Sequence, residues 1–209
     1  MKNFDRKAHW EKIYQKHQLN EVGWYQAVPE TSLEFFRQLQ IPLDSGIIDV
    51  GGGDSFLVDH LLKLGYTDIS VLDISETALE RAKKRLGSKA EKVSWIVSDA
   101  VTFKPKRKYD FWHDRAAFHF LRKEEEIRDY IEVLNNGLNN NGHLVLGTFS
   151  EDGPTKCSGI EIKQYTEEIL NELLARQFSK SKCINVEHIT PSNNIHKYIF
   201  CSFKKFSLN

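Results

Sequence analysis

The stretch IIDVGGGDSFLVDHLLKLGY, Ile47 to Tyr66, decides the fold. Its first four residues form an apolar run ending beside an acid, which reads as a short buried strand. Three glycines follow. SFLVDHLLKLG then carries apolar residues at helical spacing, with Gly65 just past the end as a helix stop. A strand, a glycine turn and a helix make the first half of a βαβ unit. The same alternation continues downstream. ISVLDIS is a strand and ETALERAKKRLG a helix ending at Gly87. VSWIVSD and YDFWHD are strands, KEEEIRDYIEVLNNGL is a helix with acids in its first turn, and HLVLGTF is a strand. The Asn-rich NNGLNNNG, Asn135 to Gly142, reads as a turn. Strands alternating with helices imply right-handed crossovers and a mostly parallel sheet. The end differs. After a helix near TEEILNELLARQF, only PSNNI separates KCINVEHIT from HKYIFCSFKK, too short for anything but an antiparallel hairpin. Upstream, Asp5 to His17 spaces Trp10, Ile13, Tyr14 and His17 along one helix face, and VPETSLEFFRQL starts a second helix near Pro29. The fold class is therefore α/β: a Rossmann-like open sheet, mostly parallel, with a C-terminal antiparallel hairpin strand and helices on both faces. We expect a single domain over 1–209, with a helical lid segment over 1–40 and the core over 45–205.

The 209 residues include 29 Lys plus Arg and 29 Asp plus Glu, so bulk charge offers no nucleic-acid footprint. No apolar run approaches a membrane span, and MKNFDRKAHWEKIYQKH has no apolar signal core. Cys157, Cys183 and Cys201 show no CxxC spacing, and are read as reduced thiols in a cytoplasmic protein. Neither a metal site nor a membrane partner is expected.

Ligands of such sheets bind outside the carboxyl ends of the strands, where Gly51, Gly52 and Gly53 lie. A nicotinamide fingerprint needs a third glycine at position 56, which is Phe. A P-loop needs Lys followed by Ser or Thr after the last glycine, and neither is present. The acids suggest a different ligand. Asp49, Asp73 in VLDIS and Asp99 in IVSDA end the first three core strands, a density of negative charge that repels a pyrophosphate. A cation bearing a ribose diol and an adenine amine suits them. Asp73 would accept the ribose hydroxyls, Asp99 the adenine amine, and Asp49 would help hold an amino-acid end. S-adenosylmethionine, a sulfonium, has all of these parts. Ile74 and Ala100 flank two of the acids and join the candidate cofactor site.

At these residues the chain resembles the class I, seven-β-strand, S-adenosylmethionine-dependent methyltransferases. DVGGGDS is similar to their D/E-x-G-x-G motif, DIS to the strand-two acid motif, SDA to the adenine-contacting motif, and LNNNGHLVL to the entry to their fifth strand. Ser55 departs from the third glycine carried by many members. More narrowly, HWEKIYQKH, WY and GGGDSFLVDHLLKLGYTDISVLDIS resemble the group that methylates lysines of citrate synthase and translation elongation factor 1-alpha, together with its bacterial relatives. The resemblance implies methyl transfer to an acceptor such as a protein lysine or a small molecule. The alternatives are a catalytically silent S-adenosylmethionine-binding module and, disfavoured by Phe56, a nicotinamide-dependent oxidoreductase.

The stretch YDFWHDRAAFHFL carries the candidate chemistry. In class I enzymes the end of the fourth strand faces the transferred methyl, which makes His113 and Asp114 the candidate catalytic pair, with His113 also near the cofactor. Arg115 and His119 are the candidate substrate contacts. Trp24 and Tyr25, between the two N-terminal helices, are the expected aromatic wall over the cofactor, where cation–π attraction suits a sulfonium. The basic run Lys104 to Lys108 reads as a solvated loop, and Cys157 to Gly159 as a loop on the substrate side.

Overall fold

A computed structural model describes residues 4–207. The N-terminal part holds α1 (Arg6–Lys16) and α2 (Glu30–Gln38). The alternating part runs β1 (Gly46–Val50), α3 (Leu57–Leu64), β2 (Asp68–Asp73), α4 (Glu76–Leu86), β3 (Val93–Val97), β4 (Tyr109–Arg115), α5 (Glu124–Gly137) and β5 (Leu138–Phe149). A small hairpin, β6 (Lys156–Cys157) with β7 (Ile160–Glu161), follows, then α6 (Glu167–Leu174), β8 (Phe178–Ile189) and β9 (Ile195–Lys205).

The main sheet has the order β3-β2-β1-β4-β5-β9-β8. Strands β1 to β5 pair in parallel, while β9 is antiparallel to both β5 and β8. Strand order reverses at β1, whose neighbours are β2 on one side and β4 on the other, and the glycine turn leaves β1 at that point.

Alternation divides the core in two. Ile47, Phe111 and Val145 face α2, α3 and α4, whereas Ile48, Trp112, Leu144 and Leu146 face α5 and α6. Successive side chains on a strand point to opposite faces. The fully buried Phe35 and Phe36 anchor α2 to the first face; burial of each ring contributes about 2 kcal/mol. Gly65, at φ 97°, ends α3 in a left-handed conformation that glycine adopts without strain.

Two sequence expectations need correction. Cys183 and Cys201 are not reduced thiols: they face each other across β8 and β9, Cα atoms 4.1 Å apart, and form a disulfide. Only Cys157 is free. The Asn-rich segment is not a separate turn. Asn135 to Gly137 end α5, and Leu138 to Gly142 enter β5 as an irregular start, with a register shift against β4 and Asn141 at φ 63°. Among the basic run, Arg107 is tied down, paired with Asp68 and stacked 5.0 Å over the Tyr109 ring.

Candidate active site

The glycine turn is shaped from below and from behind. Gly51 and Gly53 have φ of 67° and 51°, where a side chain is strained, and the Gly51 N–H donates to Leu72 O at 2.8 Å. A Cβ on Gly53 would run into the Tyr14 hydroxyl, and one on Gly52 into the Asp49 carboxylate. Two arginines one turn apart on α4 hold the loop. Arg85 donates to Asp54 O at 2.6 Å and Ser55 O at 2.8 Å and lies 4.4 Å over the Phe56 ring. Arg81 pairs with Asp54 at 3.2 Å and donates to the carbonyls of Tyr14 and His17, so the same helix grips the loop and α1.

Asp73 is almost completely buried. One oxygen accepts from Ser75 N at 2.8 Å. Burial pushes its carboxyl up to about 7, helped by the charges of Asp54 and Asp49 and opposed by the Ser75 and Gly53 N–H groups. Ser75 caps α4, its side chain accepting from Ala78 N, while its own N–H gives Asp73 a structural contact. Just past the end of β3, Asp99 accepts from Val101 N at 3.0 Å and pairs with Arg6 at 3.0 Å, and Arg6 also reaches Glu126 at 2.6 Å.

Alternation also separates the two residues of the candidate catalytic pair. His113 lies on the α2 face, with Nδ1 donating to Asp49 Oδ1 at 2.7 Å and Nε2 2.9 Å from Ser32 Oγ. Ser32, His113 and Asp49 are all buried. Both ring nitrogens are engaged, so His113 orients Asp49 and has no free nitrogen for an acceptor's proton. Asp114 lies on the α5 face and does not line the crevice. One oxygen accepts from Ala117 N at 3.0 Å and Phe118 N at 3.1 Å, the other from the Tyr130 hydroxyl at 2.7 Å. Burial pushes its carboxyl up to about 6 against the pull of those three donors. The expectation that Asp114 opens toward the crevice is therefore overturned: it ties the end of β4 to α5.

His119 is also corrected. It is fully buried, stacked on Phe149 with centroids 4.5 Å apart, and accepts from Phe149 N at 3.3 Å. Burial, with the charges of Arg115 and His196, pushes it down to about 3. It packs the core beneath the substrate side.

Two adjoining cavities remain. One runs from Arg6 and Asp99 past Asp73, Ile74 and Ala100 to Trp10, Phe120 and Cys157. The other is lined by Asp49, Gly52, Ser32 and His113. Tyr14, Trp24, Gly51 and Arg115 line both. The aromatic wall is Trp10, Tyr14, Trp24 and Phe120, with Trp10 5.0 Å from Phe120 and 5.8 Å from Trp24. Tyr25 is not part of it and packs 6.2 Å from Phe56. Sequence reasoning missed Arg6, Tyr14, Ser32, Arg81 and Arg85. The i, i+4 pair Arg81 and Arg85 was a usable signal for a helix face turned to acids.

Residues 48–144 match the family described as "Methyltransferase domain". The match covers 97 of the 209 residues, and the architecture is the class I methyltransferase fold. The family's cofactor is S-adenosylmethionine, and the donor set fits it: acids at three strand ends, and a turn where side chains would fill the space. The chain is 29% identical over 140 residues to the malonyl-[acyl-carrier protein] O-methyltransferase 2 of Ilyobacter polytropus, covering 67% of this chain and 48% of that one. It is 28% identical over 128 residues to the mouse eEF1A lysine and N-terminal methyltransferase, covering 60% of this chain and 18% of that one. The chain thus spans less than half the length of these relatives. A solved S-adenosylmethionine-dependent methyltransferase from Anabaena variabilis superposes with a TM-score of 0.75 at 17% identity, over 97% of this chain and 96% of the other.

Proposed function

We propose that this protein transfers a methyl group from S-adenosylmethionine to an acceptor. The observation that carries the reading is the convergence of Asp49, Asp73 and Asp99 with the glycine turn on adjoining cavities. Asp73 would take the ribose hydroxyls, Asp99 the adenine amine once Arg6 yields it, and Asp49 the amino-acid end. Bound there, the cofactor supplies an electrophilic methyl carbon. The chain's own residues orient it and exclude water, with Trp10, Tyr14, Trp24 and Phe120 closing the front. We read the described part of the N-terminal segment, residues 4–40, as a lid over the core at 45–205. The relatives' names span an oxygen of malonyl-acyl-carrier protein and the lysines and N-terminus of a protein, so the acceptor is a small molecule or a protein. A cytoplasmic location goes with an intracellular cofactor, while the Cys183–Cys201 disulfide, a bond rare in that compartment, speaks against it. No described helix is long and apolar enough to cross a membrane. Calorimetry should show micromolar-range binding of S-adenosylmethionine or S-adenosylhomocysteine and none comparable for NAD or ATP. Tighter binding of NAD would overturn the reading, and binding without label transfer to any lysate component would leave a silent binding module.

A further inference from the structure

Arg115 is the cation that lines both cavities. One of its nitrogens donates to Trp24 O, the carbonyl of an aromatic residue over the crevice. Among the described residues no carboxylate lies within ion-pair distance of it, although the chain pairs Arg6, Arg37, Arg81, Arg85, Arg107, Arg122 and Arg128. The titratable groups that feel its charge are His119, Cys157, His188 and Tyr198, and none supplies an anion. Burial holds the Cys157 thiol up at about 11 and pushes the Tyr198 phenol up, so both stay neutral, while His119 and His188 are held down as neutral imidazoles. A part-buried guanidinium with donors to spare and no counter-ion calls for an anion.

We propose that Arg115 receives a negatively charged acceptor, so that the methyl group ends on oxygen or sulfur and not on an amine. This rests on the transfer reading above. With the ribose at Asp73 and the amino-acid end at Asp49, the sulfonium falls between them, beside the residues common to both cavities. The cofactor's own carboxylate lies at the amino-acid end, separated from the sulfonium by the methionine chain; beside the sulfonium itself a second cation without an anion between them repels the first. An amine arrives as ammonium, adds a third positive charge, and needs a base. No base is free: both nitrogens of His113 are engaged, Asp114 is enclosed by three donors, and His119 is stacked in the core. A carboxylate or thiolate needs none. Its lone pair forms the new bond to the methyl carbon as the carbon–sulfur bond breaks, and that pair stays on sulfur. Anion and sulfonium become two neutral products, and no proton moves.

The test has two arms on the full chain. In the first, calorimetry compares S-adenosylmethionine with S-adenosylhomocysteine, which lacks the sulfonium charge, using acetate as the carboxylate probe. Acetate should tighten the sulfonium alone, and Arg115→Gln should improve its affinity relative to the homocysteine form by at least about threefold, with Arg115→Lys unchanged. A role confined to holding Trp24, or to pairing the carboxylate that both ligands carry, would shift both ligands together and would overturn the assignment. In the second arm, the native protein transfers labelled methyl to lysate. Label released as methanol by mild base marks a carboxylate acceptor, label surviving as a methyl thioether marks a thiolate, and methyl-lysine or any other N-methyl product overturns the proposal. If wild type binds neither ligand, the transfer reading itself fails; binding without the acetate effect sinks only the assignment of Arg115.

Discussion

The Tyr130 hydroxyl donates to Asp114 Oδ2 at 2.7 Å while itself accepting from Trp112 Nε1 at 3.1 Å. Strand β4 and helix α5 are joined by this chain of side chains, and the acid at its end is committed to structure.

Asp114→Asn should therefore lower thermal stability and leave cofactor affinity near normal. Tyr130 would keep the Trp112 donor but lose the acceptor for its own proton, a cost of about 1–3 kcal/mol. Tyr130→Phe should cost a similar amount, and the double mutant less than the sum of the two. Chemical denaturation of the four proteins checks this. A folded Asp114→Asn variant that has lost cofactor affinity would return the residue to the active site.

Asp73 predicts a pH dependence. Below its ordinary 3.8 the group is protonated whether the chain is folded or not. Between there and about 7, the folded chain keeps a proton that the unfolded chain has lost. Asp73 thus lowers stability as pH rises through that window, with no further change above it. Cofactor binding runs the other way. Ribose hydroxyls and a sulfonium favour the carboxylate, so S-adenosylmethionine should bind more tightly as pH rises toward 7, with proton release visible by calorimetry in buffers of different ionisation enthalpy. Asp73→Asn should abolish both the proton release and most of the affinity.

Gly53→Ala should abolish cofactor binding through Tyr14. The added methyl strains the backbone at φ 51° and meets the Tyr14 hydroxyl. Tyr14→Phe in the same chain should restore part of the affinity by removing the steric contact but not the strain. No rescue would mean that the turn alone is responsible.

Ser32→Ala leaves His113 Nε2 buried without a partner, at a cost of about 1–2 kcal/mol. If the imidazole orients Asp49, cofactor affinity should fall as well, several-fold, in a variant that still melts cooperatively. Unchanged affinity would confine the Ser32 contact to stability.

Reducing Cys183–Cys201 opens a crosslink between residues 18 apart in sequence. On chain entropy its loss costs about 3 kcal/mol, with the loss falling on the β8–β9 hairpin. Thiol titration of the denatured, unreduced protein should find one free cysteine; three would show that the pair is reduced in solution.

The sheet was readable because strand and helix periods are local. The glycine turn and the acids at the ends of β1 to β3 were readable because the topology puts every parallel strand end at one rim. Asp114 was misassigned because period two sends adjacent residues to opposite faces, and the sequence did not show which of His113 and Asp114 faced the cofactor. Arg6, Tyr14 and Ser32 were missed because their partners lie far away in sequence: Asp99 and Glu126 for Arg6, His113 for Ser32. The disulfide pairing depended on a strand register that spacing alone does not reveal.

The carboxylate of Glu11, on α1, accepts from Ser75 Oγ at 3.0 Å, Glu76 N at 2.7 Å and Thr77 N at 3.2 Å. The first turn of α4 is thus completed by a residue from outside its own helix. Were α1 to swing away as a lid, those two amides would lose their acceptor to water. Their hydrogen–deuterium exchange becomes a clock for the door of the crevice, readable with no substrate in hand, and ligands that hold the door shut should slow that clock while leaving the amides of β1 at their own pace.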